Sequence, residues 1–193
     1  AGGIDTTQYG SARVYLPAGD VVVTGTIGQA SVSETLTLTP GQLLERDLII
    51  ASGLAVVDAY YAEGMLMENT QHSVEILAAK KALDGSRERL TTAYGPGSKF
   101  ELAAGDYVAL VSQGAASAEV PFTVKTGERV DVAVILDAGV LAVTAPGANA
   151  IEVFKAKADI NGFRDQMAFN YTEETSLALP EGGAHVDAES RMR

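Results

Sequence analysis

The chain has no cysteine and no tryptophan, only two histidines, and 6% aromatic residues among its 193. Without cysteine there are no disulfide staples, no thiolate zinc sites and no cysteine nucleophiles; the compartment stays open, because an exported bacterial module can do without disulfides. Positive charge is also short: 14 Lys and Arg stand against 25 Asp and Glu, a formal charge of −11. Affinity for a phosphate backbone comes mainly from Lys and Arg neutralising phosphates, so nucleic acid and anionic membrane are poor partners. The excess acid reads as what keeps a repetitive β surface soluble and monomeric. No window approaches the roughly 18 consecutive apolar residues that a membrane-spanning helix needs. An initiator methionine and a signal-peptide pattern are missing too, so the sequence reads as a processed protein or an excised fragment.

What the chain does have is 47% apolar residues, enough for ordinary globular cores in one or two domains and too many for disorder. It also repeats itself. Residues 16–53 align without a gap on 102–139, an offset of 86, with twelve identities that include Leu16/Leu102, Ala18/Ala104, Gly19/Gly105, Asp20/Asp106 and Gly53/Gly139. Residues 74–105 align on 151–182 at an offset of 77, matching Glu75/Glu152, Lys80/Lys157, Gly85/Gly162, Arg87/Arg164, Tyr94/Tyr171 and Gly105/Gly182. The nine residues between the two offsets form an insertion between Gly53 and Val74, around Tyr60, Tyr61, Met65 and Met67. A repeat without a catalytic constellation inside it reads as a modular scaffold.

Period-two alternation is the main local signal. Ala118, Val120, Phe122 and Val124 alternate with Glu119, Pro121 and Thr123, while Val130, Val132, Val134 and Leu136 do so in the next segment. Their sisters are Val32, Leu36 and Leu38, then Leu44, Leu48 and Ile50. One face of each strand is then buried and one wet. Pro121 has no amide proton to give and predicts an edge position or a local break. Asp84-Gly85 and its sister Asn161-Gly162 predict hairpins with type I′ turns.

Counted from Gly53, one module has strands near 54–57, 73–81, 87–93, 98–102, 106–112, 116–125 and 129–137. Seven short strands in this length predict an all-β fold of tandem antiparallel β-sandwich modules, Ig-like or prealbumin-like. The phase predicts one complete module, 54–139, between a partial module 1–53 that lacks its opening strands and a partial module 140–193 that lacks its closing ones.

Chemical motifs are few. Asp159, Asn161 and Asp165 alternate as in part of a calcium loop. The acidic residue expected at its twelfth position is Asn170, and the sister of Asp159 is Ala82, so a plain hairpin turn is preferred and no cofactor or metal is assigned. His72-Ser73 and His185 with Asp187 leave a Ser-His-Asp triad open only through spatial assembly, since no nucleophile-elbow motif is present. Lys80, Lys81, Arg87 and Arg89 flank the Asp84-Gly85 turn as a small basic patch or as gatekeeping charges. Tyr60, Tyr61, Met65 and Met67 are the candidate interaction surface, because Tyr and Met are enriched in interfaces; packing against the neighbouring module explains them equally well.

Leu-Pro-Ala-Gly-Asp at 16–20, its variants at 102–106 and 179–183, and Val-Phe-Lys-Ala-Lys at 153–157 resemble the tandem β modules of secreted alphaproteobacterial proteins that carry a von Willebrand factor A domain. More loosely, the chain is similar to prealbumin-like and carboxypeptidase-regulatory-like sandwiches. The Asp-x-Ser-x-Ser metal-adhesion signature of the A domain is absent, so the resemblance transfers no functional residue. It implies a periplasmic, extracellular or cell-surface location and a non-enzymatic scaffold or protein-interaction module that spaces or presents a binding domain. The phase of the repeat leaves the incomplete end modules with unpaired strand edges, so the expected partners are another protein or a second copy through those edges, with oligomerisation by strand exchange. The alternative is a carbohydrate- or small-ligand-binding sandwich using Tyr60, Tyr61 and Tyr171.

Overall fold

Alternation of apolar and polar residues sorts the strands into faces. In β8 (Ala116–Val124) Ala118, Val120 and Phe122 are half-buried and Val124 is buried, while Ser117, Glu119, Pro121 and Thr123 are exposed. The computed structural model describes residues 10–11, 13–181 and 183–189. Residues 1–9 of the expected first module, residues 190–193 of the third and the repeat position Gly182 lie outside the described residues.

The middle of the chain folds as β3 (Ser52–Tyr60), β4 (Ser73–Lys81), β5 (Arg87–Tyr94), β6 (Ser98–Ala103), β7 (Gly105–Gln113), β8 and β9 (Arg129–Ile135). These seven strands form two sheets, β6-β3-β9 and β5-β4-β7-β8. Ala55, Val57, Ala59, Leu102 and Val134 from the first sheet meet Val74, Ile76, Ala109, Val111 and Val124 from the second in one buried core. Fully burying a side chain such as Ile76 or Leu102 contributes about 1.5–3 kcal/mol. Pairing is antiparallel throughout this unit except between β3 and β9, which run parallel from Leu54 opposite Arg129 to Tyr60 opposite Ile135. Pro121 lies on β8, which pairs only with β7 and so ends its sheet, where no donor is needed.

The flanking segments reuse parts of this plan. Hairpin β1 (Gly19–Ile27) and β2 (Ala30–Leu38) pairs Gly19 with Leu38 and Ile27 with Ala30, the register of β7 and β8 moved by the repeat offset. Downstream, β10 (Ala138–Thr144) pairs with β13 (Glu174–Pro180), and β11 (Ala150–Lys155) lies between β12 (Gln166–Asn170) and β14 (Ala184–Glu189). These two sheets reproduce β3-β6 and β5-β4-β7. The chain is all-β, built of β-sandwich modules, with fourteen strands and no helix among the described residues.

Two local expectations are corrected. The strand expected through Leu44, Leu48 and Ile50 does not form. Its sister β9 is held by parallel pairing to β3, whereas residues 43–49 pair with no strand among the described residues. They lie on the hairpin instead: a Cβ added to Gly25 would sit 3.2 Å from Ile50 Cδ1 and 3.6 Å from Leu48 Cδ1. The hairpin turns are not type I′ either, because only Gly85 (φ 84°) and Gly162 (φ 86°) are left-handed, and Asp84 and Asn161 are not. Gly85 N donates to Ala82 O (3.0 Å) and Ala82 N to Ser86 O (2.8 Å), and Gly162 and Asp159 repeat this with Asp159 O (3.1 Å) and Phe163 O (2.7 Å). Each loop has three residues and closes on a left-handed glycine. Asp84 Oδ1 accepts the Ser86 amide and hydroxyl, and Asp159 Oδ1 the Asn161 and Phe163 amides, which hold the longer loop.

Candidate functional site

The insertion after β3 is clamped from both sides. Leu136 N donates to Tyr60 O (2.9 Å), Ala138 N to Tyr61 O (2.9 Å) and Met67 N to Ala59 O (2.8 Å). Met67 is fully buried and belongs to the core, not to a surface. Tyr61 is half-buried; its Oη donates to Gln113 Oε1 (3.3 Å) and accepts from Asn69 Nδ2 (2.7 Å). Tyr60 is half-buried as well, which leaves Met65, with Leu66 beside it, as the exposed apolar part of the insertion. The four residues singled out by composition therefore divide between core and surface.

His72 is fully buried, and neither ring nitrogen has a hydrogen-bond partner. Burial pushes its pKa below the ordinary value, against smaller upward effects from the Gly95 and Asn69 backbone and the Asp58 charge. The turn Gly95-Pro96-Gly97 gathers a serine, a histidine and an aspartate. Gly95 N donates to His72 O (3.1 Å), Ser98 Oγ donates to Gly95 O (2.8 Å), and Gly97 N donates to Asp58 Oδ1 (2.8 Å). A hydrolytic triad needs the hydroxyl bonded to the imidazole and the imidazole to the carboxylate. Here the serine proton goes to a carbonyl and the carboxylate to an amide, so all three brace one turn. His185 Nε2 lies 3.2 Å from Asp187 Oδ1 with both side chains exposed, an i, i+2 pair on one open face of β14.

The alternating acids of 159–165 are used locally. Asp159 has its pKa lowered by the Phe163 amide first, with the Asn161 amide adding to it, and Asp165 pairs with Lys155 Nζ at 2.9 Å. Among the described residues no group of three or more His, Asp or Glu is placed to hold a metal ion. In the basic patch, Arg87 donates to the Ala79 carbonyl and lies 3.8 Å from Glu119, while Arg89 lies 3.5 Å from Glu75. Lys80 and Lys81 are exposed. Tyr171 is exposed with its ring edge-on to Phe169, centroids 4.6 Å apart.

A feature that sequence reasoning missed lies where successive units meet. The tip of the β1–β2 hairpin rests on β6, with Gln29 N donating to Glu101 O at 2.9 Å. The tip of β7–β8 rests on β13 in the same way, with Ala115 N donating to Ala178 O at 3.1 Å. Donors are related by one repeat offset and acceptors by the other. Gly28 (φ 55°) and Gly114 (φ 59°) make the approach possible: a Cβ would lie 2.6 Å from Glu101 O and 2.8 Å from Ala178 O. The next residues, Ala30 and Ala116, are each 1% exposed. The sequence signal was the shared Gly-x-Ala, legible as a turn but not as a joint.

No family model and no curated protein matches the chain. Among solved structures it is similar to the Bacillus anthracis TIE protein, at 13% identity and a TM-score of 0.32, over 91% of this chain and 35% of that one. It is also similar to a Streptococcal ancillary pilin, at 10% identity and a TM-score of 0.36, over 90% of this chain and 63% of that one. The chain thus spans about a third of the first protein and less than two thirds of the second. At these scores the likeness adds nothing to the all-β architecture already described.

Proposed function

We propose that the chain is a non-enzymatic, extracytoplasmic scaffold, a run of linked β-sandwich units (1–53, 54–139 and 140–193) that spaces or presents a binding domain. The repeated joint carries this reading: the same hairpin tip meets the same strand of the following unit through one main-chain hydrogen bond, twice. A joint that recurs gives each unit a fixed relation to the next, which a spacer needs and an isolated binding module does not. The Ser-His-Asp groups being committed to a turn is consistent with it.

Self-association through strand edges belongs to the same proposal. Among the described residues β14 pairs only with β11, whereas its sister β7 is paired on both sides, and β10 has no counterpart of the β9 ladder. Such edges are templates for another strand, from a flanking unit or from a second copy. Small-angle scattering over a concentration series tests both parts. The expected result is an elongated monomer of defined maximum dimension at low concentration, with larger species appearing as concentration rises. Profiles that fit only freely reorienting units would overturn the scaffold, and an unchanged monomer at every concentration would overturn strand exchange.

A further inference from the structure

Two hairpins project beyond their sheets, and their tips are alike. The ladder from β4 to β7 ends at Ala78 opposite Tyr107, after which residues 79–86 are all exposed. The ladder from β11 to β14 ends at Lys155 opposite Ala184, after which residues 159–166 are all exposed. At the first tip stands Leu83, 110% exposed; at the second stand its sister Ile160, 101% exposed, and Phe163, 75% exposed. Each apolar tip is flanked by repeat-matched cations, Lys80 with Arg87 and Lys157 with Arg164. Residues 79–89 and 155–165 hold seven of the chain's 14 Lys and Arg but only four of its 25 Asp and Glu. The net charge of the whole molecule argued against an anionic surface; the distribution of that charge reverses the argument at these two places.

We propose that the β4–β5 and β11–β12 hairpin tips dock on an anionic phospholipid surface, with Leu83, Ile160 and Phe163 entering the headgroup boundary and the flanking lysines meeting lipid phosphates. Leu83 and Ile160 are fully exposed at the ends of their hairpins, and a bilayer accepts such apolar tips beside cations without a matching pocket. The cations left to face outward, Lys80, Lys81 and Lys157, are ammonium groups, which gain from a negative surface potential without a fixed geometry. Arg87 and Arg164 instead donate to carbonyls of their own hairpins, at Ala79 and Ala156, and so stiffen the arms. At about 0.15 M salt the screening length is about 8 Å, so acids farther than that from the surface contribute little repulsion. This proposal does not depend on the scaffold reading.

The test is co-sedimentation of the full chain with vesicles of phosphatidylcholine alone or mixed with phosphatidylglycerol. Binding is expected only to the mixed vesicles. Leu83→Asn combined with Ile160→Asn, at sites too exposed to affect folding, is expected to lower partitioning by about tenfold or more. Lys80→Gln with Lys81→Gln is expected to lower it less and to reduce its salt dependence. Absence of wild-type binding to the mixed vesicles, or binding that survives the asparagine substitutions, would overturn the proposal. Loss on the lysine substitutions alone would also overturn it, because the apolar tips would then contribute nothing.

Discussion

Gly53 and Gly139 hold the same position in the repeat, yet one added methyl group has opposite consequences at the two sites. A Cβ at Gly53 would lie 2.4 Å from Lys125 O, 2.8 Å from Glu128 O and 2.8 Å from Val124 Cγ1, all closer than real Cβ contacts. Two of those atoms are main chain, in a turn fixed to β3 by Leu54 N to Glu128 O (3.0 Å) and Gly127 N to Ser52 O (2.8 Å). Relieving the overlap displaces that turn and strains both bonds. Overpacking costs about 1–3 kcal/mol, and a hydrogen bond weakened on each side adds about 1 kcal/mol. Gly53→Ala is therefore expected to destabilise the central sandwich by about 2–4 kcal/mol. At Gly139 nothing lies within 4 Å of the added atom, and φ is not left-handed. Gly139→Ala is expected to stabilise by about 0.4–1 kcal/mol, by narrowing the unfolded ensemble. Urea unfolding followed by far-ultraviolet circular dichroism reads the difference: with a slope of about 1–3 kcal/mol per molar, the Gly53→Ala midpoint falls by about 0.7–4 M. Equal shifts for the two variants, or a larger loss at Gly139, would refute the reasoning. In a longer chain whose downstream sequence supplies a turn against Gly139, the substitution there becomes as costly as at Gly53.

Three further outcomes are expected. Because burial lowers the His72 pKa, the folded chain refuses a proton that the unfolded chain takes below about pH 6.5. Stability from this site is complete above that pH and falls as pH drops through it, by up to about 1.4 kcal/mol per pH unit, until the folded imidazole titrates. His72→Leu is expected to abolish that slope and to raise neutral-pH stability, since two unpartnered nitrogens leave the core; urea midpoints near pH 7.5 and 5.5 check it, and an unchanged slope counts against it. Gly114→Ala is expected to loosen the joint at Ala178 O, whereas Gly127→Ala, also left-handed (φ 72°) but with nothing within 4 Å, costs only about 1 kcal/mol of backbone strain; a larger maximum dimension in scattering for the first variant alone separates the two. Met67→Ala is expected to cost about 2–5 kcal/mol and Met65→Ala almost nothing, in thermal or urea unfolding, because only Met67 is buried.

The sequence pattern read well where structure is local. Alternation placed β4 through β9 to within a residue or two, and Pro121 marked an edge. What stayed hidden depends on partners far along the chain. The parallel β3–β9 ladder joins the first and last strands of a sandwich, and that long-range pairing decides whether residues like 43–49 become a strand. Alternation through Leu44, Leu48 and Ile50 described a face without a ladder to hold it. Met67 and Met65 have the same chemistry in one short insertion; only the clamp from Ala59 and the β9–β10 connection, which leaves no periodic mark, separates core from surface. The gathering of Asp58, His72 and Ser98 on one turn was equally unreadable, since each is fixed by a main-chain atom of the turn.

The hydrogen bonds of the joints at Gln29 and Ala115 are written in main-chain atoms, an amide on one side and a carbonyl on the other, beside a glycine and a small buried alanine. A copy that carries the same hairpin tip therefore fits a copy that carries the same strand. A gene encoding such a chain can lengthen or shorten by unequal recombination within the repeat without creating a mismatched interface. Under the proposed scaffold function, reach then becomes a heritable variable that is independent of the chemistry displayed on each unit.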